Sequence, residues 1–594
     1  MLPPTRSRQR IALFFCALVF ALAQAGAATN FLPLKDIKAG MRGVGKTIFS
    51  GDRIEDFQVE ILGVLENIGP KESLILARLS GGPLASVGVM QGMSGSPVYI
   101  DGKLIGAVAM AFPFSKEPIA GIRPIADMLA PSEGGKQLPR AGVPLTGTDV
   151  LAALPKRAET LFGASKMIDI STPVSFGGFT REAIERFSPQ LRGLGLEPLQ
   201  GVSGGGRMPA AMGLRSALKP GSMISVQLVT GDLSMGADGT VTYIDGERIY
   251  AFGHRFLSVG STDLPFARSE VLTLLPSLSS SFKISSPREL MGSISQDRDT
   301  AVAGELGRRA AMVPVSIHVA SPNGKRSSYR MEMVDDRFLS PFLLQMSVFS
   351  AIDATERTVG SSSFLVKGQI GFHDGAVPVK LDNMYAGDAN SAMQVALSAA
   401  IPLAYVLQGG FDKLRVKNVA LEIESFDQKK QLQIDHVFAG RHEAHPGESI
   451  ELTIGLAGEN GALVTRKVVY PAPIGLTTGP LYFTISDAST ANLTDYRQIL
   501  GVAPRSARQL ISNVNNLKVN TKAYVRVWRP DAAFQLQGED YPTPPPSLAM
   551  ILTRAQGGYG GLTQAYNSKL AELEIDGIGA VVTGSKTIQV EIKE

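Results

Sequence analysis

The sequence predicts a mainly β, multidomain protein, and three observations support this prediction. The chain has 594 residues, of which 44% are hydrophobic and 19% are charged, so it is too long for one ordinary core and too apolar to be disordered. Its 63 glycines and 36 prolines are typical of a chain rich in turns. Long helical patterns are few, whereas short alternating runs bounded by turn residues recur. We therefore expect three or more globular units built mostly from strands.

Residues 1–27 have the parts of a cleavable export signal. The segment "TRSRQR" is basic, "IALFFCALVFAL" is apolar but short for a membrane span, and "AQAGAA" supplies small residues for cleavage. Cleavage would remove Cys16, the only cysteine, so the mature chain would have no disulfide and no thiolate metal site. It would also lower the formal net charge from +4 to about +1, which gives no electrostatic reason to expect nucleic acid as a partner.

Residues 28–135 are predicted to form a β unit that carries a candidate nucleophile. The segment "KTIFSGDRIEDFQVEILGVLEN" alternates apolar and polar residues around a turn. The segment "PVYIDGKLIGAVAMAF" reads as a hairpin with a type I′ turn at Asp101 and Gly102. Ser94, in "GMSGSP", lies on the loop immediately before that hairpin.

Residues 136–215 are predicted to connect two β units. The segment "TREAIERFSPQLRGLG" has the pattern of an amphipathic helix with Thr180 as its N-cap. The glycine-rich segment "LQGVSGGGRMPAAMG" lacks the Lys-Ser/Thr of a phosphate-binding loop, so we interpret it as a connector or the wall of a cleft.

Residues 216–325 are predicted to form a second β unit, which carries a candidate base. The sequence "YIDG" of residues 99–102 recurs at residues 243–246. This is weak evidence of duplication, because turn geometry alone favours Asp-Gly in unrelated hairpins. This second hairpin ends in "AFGHRF", which places His254 at the end of its second strand.

A serine and a histidine on such units suggest nucleophilic catalysis. A serine hydroxyl needs a base to take its proton, and imidazole is the usual base because its pKa lies near neutrality. A Gly-x-Ser-Gly turn leaves room for a substrate carbonyl, and the N–H groups of Gly92 and Ser94 are candidate donors to an oxyanion. The order of the two residues along the chain does not matter, because the site is defined in space.

Two segments resemble the SpoIVB-type serine peptidases, which are related to chymotrypsin. The segment "GVMQGMSGSPVYIDGKLIGAVAMAF" is similar to their serine segment, and "GTVTYIDGERIYAFGHRF" is similar to their histidine segment. The resemblance implies a trypsin-like β-barrel peptidase region with Ser94 as nucleophile and His254 as base. In that family the histidine segment comes first, whereas here Ser94 precedes His254, and no PDZ-like module precedes the region.

The acidic member of a triad is left open. Asp263 and Asp297 follow the histidine and are the candidates, while Asp245 is assigned to the hairpin turn. Since each candidate also fits a surface or capping role, a Ser/His dyad is favoured over either carboxylate.

The rest of the chain is predicted to be scaffold or recognition surface. Residues 326–415 form a mixed α/β segment, in which "SAMQVALSAAIPLAYVLQGG" is interpreted as a core helix. Residues 416–490 read as an immunoglobulin-like β-sandwich, and residues 491–594 as a C-terminal helical insertion with closing strands. Trp528 is assigned to packing, and His442 and His445 to a solvated loop rather than a metal site.

The sequence therefore predicts an exported serine endopeptidase, periplasmic or extracellular, that needs no cofactor or metal. Its substrate would be a protein or peptide, including its own chain by resemblance to the family. The C-terminal sandwich is a candidate surface for an envelope protein partner. The alternative is a non-catalytic envelope protein that keeps the peptidase fold for binding or scaffolding.

Overall fold

The fold was analysed in a computed structural model of the chain. The structure describes residues 30–69, 72–112, 114–130, 144–145, 147–152, 154, 167–199, 211–277, 280–356, 359–373, 376–411, 413–459, 461–499, 504, 506–531, 533–536, 539–541, 544–555, 562–565 and 567–594. The predicted export signal and the glycine-rich segment at residues 200–210 lie outside the described residues.

The first six strands close into a barrel, called here the first barrel. Their spatial order is β1-β2-β3-β6-β5-β4, and β4 pairs back onto β1. Buried side chains such as Phe57, Ile75 and Ile122 fill the interior. The strands are β1 (Arg42–Ile48), β2 (Ile54–Gly69), β3 (Glu72–Ser80), β4 (Pro97–Ile100), β5 (Lys103–Ala111) and β6 (Ile119–Pro124), with helices α1 (Leu84–Val87) and α2 (Ile125–Leu129) and a short strand β7 (Ile168–Asp169) on β5.

A second barrel repeats the topology of the first. Taken in chain order, its six strands have the same neighbours as those of the first barrel, and Val226, Leu264 and Phe266 lie in its core. The strands are β10 (Met223–Gly231), β11 (Ser234–Asp245), β12 (Arg248–Ala251), β13 (Gly260–Leu275), β14 (Phe282–Arg298) and β15 (Ala301–Leu306). The prediction of a β-barrel fold for this region is thus confirmed, and it takes the form of two Greek-key barrels.

Two strands and a helix connect the barrels. β8 (Thr172–Gly177) pairs with β11 and with β9 (Leu196–Leu199), and helix α3 (Arg181–Gly193) lies between them along the chain. The predicted N-cap is confirmed, because Thr180 Oγ1 accepts a hydrogen bond of 3.2 Å from Ala183 N.

The two "YIDG" stretches occupy different places in the two barrels. In the first, Asp101 (φ 49°) and Gly102 (φ 73°) form the predicted type I′ turn between β4 and β5. In the second, Asp245 is still paired, with Arg248, and Gly246 and Glu247 make the turn between β11 and β12. The shared letters therefore mark two non-equivalent hairpins with turns in different register.

The α/β segment extends the second barrel rather than forming a separate core. Strand β17 pairs with β10 and continues the sheet in the order β10-β17-β16-β20-β18-β19, and the helices pack into the same hydrophobic cluster as that barrel. The elements are β16 (Met312–Ala320), β17 (Arg326–Val334), α4 (Leu339–Asp353), β18 (Val359–Phe372), β19 (Val379–Ala389), α5 (Ser391–Leu407) and β20 (Val416–Phe426). α5 is the predicted core helix, and among the described helices none is long and apolar enough to cross a membrane.

The C-terminal part is a β-sandwich. Its sheets have the orders β24-β23-β21-β31 and β22-β32-β25-β26-β30 and share one core, which includes Leu452, Phe483 and Val590. The strands are β21 (Gln431–Ala439), β22 (Glu443–Ala444), β23 (Ser449–Gly458), β24 (Leu463–Pro471), β25 (Gly479–Ser486), β26 (Ala523–Arg529), β30 (Ser568–Ile575), β31 (Val581–Thr583) and β32 (Ser585–Ile592).

The sandwich is shifted along the chain from the segment 416–490 in which we expected it. β20 pairs in parallel with β16 of the preceding sheet, whereas four sandwich strands come from residues 491–594, the predicted helical insertion and closing strands. Trp528 stacks on Tyr482 with ring centroids 4.6 Å apart, as expected for a packing residue. The remaining elements are α6 (Ala488–Ile499), α7 (Ala507–Asn515), β27 (Ala533–Leu536), β28 (Glu539–Tyr541), α8 (Pro546–Ala555) and β29 (Leu562–Ala565).

Candidate active site

Ser94 and His254 lie on equivalent connections of the two barrels. Ser94 lies between the third and fourth strands of the first barrel, in a segment called here the serine loop (residues 88–96). His254 lies between the third and fourth strands of the second barrel, in the histidine loop (residues 252–259). Because both barrels have the same topology, each residue emerges at the same point of its own barrel.

Strand β11 of the second barrel donates hydrogen bonds to the backbone carbonyl groups of the serine loop. Thr240 N donates to Ser94 O at 2.9 Å, and Thr240 Oγ1 donates to Gly92 O at 2.8 Å. Thr242 Oγ1 donates to Gly95 O at 2.7 Å. Side chains at positions i and i+2 of a strand lie on the same face, so Thr240 and Thr242 both face the serine loop. The loop's carbonyls are thereby engaged by the other barrel.

Gly95 and Gly253 allow the two barrels to approach each other closely at the two loops. A Cβ on Gly95 would lie 2.0 Å from Thr240 O and 2.6 Å from Phe252 N, and its φ of +92° also favours glycine. A Cβ on Gly253 would lie 3.2 Å from the Cβ of Ala109 on β5. Each loop therefore touches the opposite barrel next to its candidate catalytic residue, and the structure brings the segments of Ser94 and His254 together.

Some polar groups around Ser94 have a hydrogen-bond partner and others do not. Met93 N donates to Met90 O and Gly95 N donates to Val108 O. Within the described part of the chain, the alternate N–H groups, those of Gly92 and Ser94, have no acceptor. The Ser94 hydroxyl is fully buried and also has no partner among the described residues. One hydroxyl and two N–H groups of the serine loop are thus without a hydrogen-bond partner in the described part of the chain.

The ring of His254 is oriented by a backbone carbonyl. Its Nδ1 lies 2.7 Å from Arg255 O, and since a carbonyl can only accept, Nδ1 carries the proton in the neutral ring. This tautomer places the lone pair on Nε2, which is the atom a general base would use. The ring is buried, with its centroid 6.0 Å from that of Phe252.

Asp297 supports the histidine loop through its backbone. The buried carboxylate accepts hydrogen bonds from Phe256 N (2.8 Å), Leu257 N (2.7 Å) and Val259 N (3.2 Å). Burial raises the pKa of Asp297 to about 6, against the lowering effect of these bonds. Asp297 therefore fixes the loop that follows His254 from the end of β14.

Asp263, the other candidate carboxylate, is engaged elsewhere on β13. It accepts from Ser293 Oγ at 2.5 Å and from Ala311 N at 3.0 Å, and it lies 3.4 Å from Arg308. These contacts tie together neighbouring strands and the segment after β15. They give Asp263 a structural place in the second barrel.

Sequence reasoning missed a buried lysine at this junction. Lys283, at the start of β14, is fully buried, and its Nζ donates to Thr47 Oγ1 at 2.6 Å. The surrounding letters, "SSSFKISS", read as an ordinary strand with Lys283 on either face. A single lysine in an alternating strand is usually solvated, so only the barrel closure reveals that this one points inward.

An apolar cleft adjoins the serine loop. It has a volume of about 720 Å³ and reaches the loop at Gln91. Its wall is formed by apolar side chains of both barrels and the connector, together with the carboxylates of Asp169 and Glu197. The apolar residues include Phe112, Phe114, Ile170, Leu199, Leu275 and Phe282. The cleft has the size and lining of a site for an apolar side chain of a ligand.

The other histidines lie away from this site. His445 Nδ1 lies 2.6 Å from Glu594 O in an exposed loop, and His318 Nδ1 lies 2.8 Å from Ser328 Oγ. Across the described residues, no group of three or more His, Cys, Asp or Glu side chains could hold a metal ion.

Comparison with known proteins gives one match. A family model described as SpoIVB peptidase S55 matches residues 27–126, which include the first barrel and Ser94. No curated protein and no solved structure matches the chain.

Proposed function

We propose that this chain is a serine endopeptidase with Ser94 as nucleophile and His254 as general base, since residues 27–126 match the family model described as SpoIVB peptidase S55. The observation that carries the proposal is the equivalence of the two loops: they lie on matching connections of two barrels with the same topology, and they touch where Gly95 meets Phe252. The proposal thus accounts for the reversed order of the two residues, since either barrel can supply either group.

The proposed chemistry is acyl transfer. His254 Nε2 takes the proton of Ser94 as Oγ attacks the scissile carbonyl carbon, and the resulting oxyanion accepts hydrogen bonds from Gly92 N and Ser94 N. His254 then gives the proton to the leaving amine as the C–N bond breaks. A water molecule, deprotonated by the same ring, attacks the acyl-enzyme and releases the acid product and Ser94.

The ring of His254 must be oriented to act as a base, and this does not require a carboxylate hydrogen-bonded to the ring. The carbonyl of Arg255 holds Nδ1–H, which sets the tautomer and the direction of the ring. Asp297 acts one step further away, by fixing the backbone after His254. In this mechanism Asp297 is a positioning residue, and Asp263 has no part in the chemistry.

The apolar cleft beside Gln91 supports a protein or peptide substrate with a large apolar side chain near the scissile bond. A segment of the chain itself is a candidate substrate of the same class.

The decisive experiment is labelling of the purified chain by a fluorophosphonate probe. Attack by Oγ forms a P–O bond and breaks the P–F bond, and the serine proton leaves with the fluoride, so an activated serine gains the probe's mass less that of HF. We expect stoichiometric labelling that is lost in Ser94→Ala and reduced at least about 100-fold in His254→Gln.

Two matched variants control for general effects. Ser86→Ala removes an exposed hydroxyl from the same β3–β4 connection, where it donates to Pro83 O, and His318→Gln removes an exposed imidazole. Both should label as the wild type does. Labelling that persists in Ser94→Ala, or a folded wild type that does not label, would favour the non-catalytic envelope protein.

Export is a separate part of the proposal. Residues 1–27 are proposed to direct the chain to the periplasm or the outside of the cell and to be cleaved there. N-terminal sequencing of the fractionated protein checks this: a mature chain that begins near residue 28 supports it, and an uncleaved cytoplasmic chain contradicts it.

A further inference from the structure

A fully buried lysine needs a reason, because an ammonium group loses much of its hydration when it is buried. Lys283 is such a residue: it lies on β14 of the second barrel, yet its Nζ donates to Thr47 Oγ1 on β1 of the first barrel. The hydrogen bond therefore crosses between the barrels at the level of the serine loop.

Lys283 is linked to the serine loop on both sides of Ser94, directly on one side and through Thr47 on the other. On the N-terminal side, Lys283 N donates to Gln91 O at 3.2 Å, and a Cβ on Gly92 would lie 3.2 Å from Lys283 Cδ. On the C-terminal side, Ser96 Oγ donates to Thr47 Oγ1 at 3.1 Å, the same oxygen that accepts from Lys283. Lys283 and Thr47 together thus connect the two ends of the turn that contains Ser94 and both candidate oxyanion donors.

A buried carboxylate, that of Asp238, provides the negative charge near Lys283. Asp238 lies on the same face of β11 as Thr240, and it accepts from Ser285 Oγ at 2.6 Å, two residues after Lys283 on β14. Among the described residues, Asp238 is the charged group whose field acts on Lys283. Burial lowers the pKa of Lys283 to about 7, while the charge of Asp238 raises it against this effect.

Resting on the proposed peptidase function, we propose that Lys283 is a positioning residue whose protonated form holds the turn of residues 91–96 in its reactive geometry. The ammonium group makes a charge-assisted hydrogen bond to Thr47, which is stronger than the bond of a neutral amine. It also places a positive charge behind the N–H groups that would bind the oxyanion. Loss of the proton weakens both effects.

The test is the pH dependence of fluorophosphonate labelling of the full chain. In the wild type, the rate should rise with pH as His254 becomes neutral and fall again as Lys283 loses its proton. Lys283→Met, which keeps the apolar stem, should label about tenfold more slowly and should lose the alkaline fall while keeping the acidic rise. Thr47→Val should also slow labelling but keep the alkaline fall, because the charge remains.

Asp238→Asn separates a charge effect from a packing effect. Removing the carboxylate removes a charge that favours the ammonium form, so the alkaline fall should move to lower pH. A role in packing alone would leave both limbs in place in Lys283→Met and Asp238→Asn, and that result would overturn the proposal. Near-UV circular dichroism identifies folded variants, and Lys283→Met is expected to fold because it removes a buried charge.

The two proposals fail in different ways. A wild type without Ser94-dependent labelling contradicts the peptidase function. A wild type that labels through Ser94, but whose pH profile is unaffected by Lys283→Met and Asp238→Asn, contradicts only the role of Lys283.

Discussion

Gly95 lies where the backbone of the first barrel touches the second, and we expect Gly95→Ala to be strongly destabilising. The new Cβ would lie 2.0 Å from Thr240 O, and the backbone of Gly95 has a positive φ. The clash and the backbone strain together should lower the free energy of unfolding by about 3–4 kcal/mol. The loops would have to separate, and Ser94 labelling should fall with stability. Chemical denaturation and labelling of the same preparation measure both effects.

Gly102→Ala is the matched control for that substitution. Gly102 also has a positive φ, of +73°, but a Cβ there would meet no heavy atom within 4 Å. We expect a cost of about 1 kcal/mol from the backbone alone and unchanged labelling. Equal losses of unfolding free energy in Gly95→Ala and Gly102→Ala would show that the close approach of Gly95 to Thr240 does not contribute to stability.

At the scale of single elements, the hairpins and helices were predictable because their signals are local. Asp101-Gly102 demanded a type I′ turn, and Thr180 marked a helix start. The partners of strands were not predictable, since an alternating pattern shows which face is buried but not what covers it. That is why β20 was assigned to the sandwich, although it pairs with β16, and why the inward direction of Lys283 was missed.

Strand β11 is the element that holds the serine loop, and its threonines allow this role to be tested. Thr240→Val keeps the shape but leaves the buried Gly92 O without its donor, which should cost about 1–3 kcal/mol. Because Gly92 N is a candidate oxyanion donor, labelling of Ser94 should also slow. Thermal unfolding and labelling rates measure the two effects.

An exposed threonine on another strand of the same barrel serves as control. Thr273, on β13, makes only a long contact of 3.4 Å to Leu274 O, so Thr273→Val should alter neither stability nor labelling. If Thr240→Val labels as fast as Thr273→Val, the bond to Gly92 O has no part in setting the serine loop.

At the scale of the whole molecule, the two barrels explain what the sequence left open about the site. Sequence reasoning identified Ser94 and His254 as candidates, yet their order was the reverse of the expected one and 160 positions separated them. Closure of each barrel with the same strand neighbours places both on equivalent connections, a relation that depends on pairing between distant strands. No window of the sequence contains that information, so the contact of the two loops could be found only in the structure.

The buried titratable groups of the second barrel include Asp238, Asp297 and Lys283, and together these three predict an unusual pH dependence of stability. Burial raises the pKa of Asp238 and of Asp297 to about 6. Between about pH 4 and 6, the folded chain therefore holds protons that the unfolded chain has released, so stability falls as pH rises. Burial lowers the pKa of Lys283 to about 7, so above pH 7 the unfolded chain holds the extra proton, and stability rises with pH. These groups thus contribute a minimum of stability between about pH 6 and 7.

The minimum can be measured at the barrel junction itself. Met93 and Met223 are fully buried there, and the urea concentration at which peroxide oxidises them reports local unfolding across pH 4–10. Lys283→Met should remove the rise above pH 7, and Asp297→Asn should reduce the fall between pH 4 and 6. A urea midpoint that is highest near pH 6–7, or one that keeps its alkaline rise in Lys283→Met, would show that these groups are not held in the buried states that the barrels impose on them.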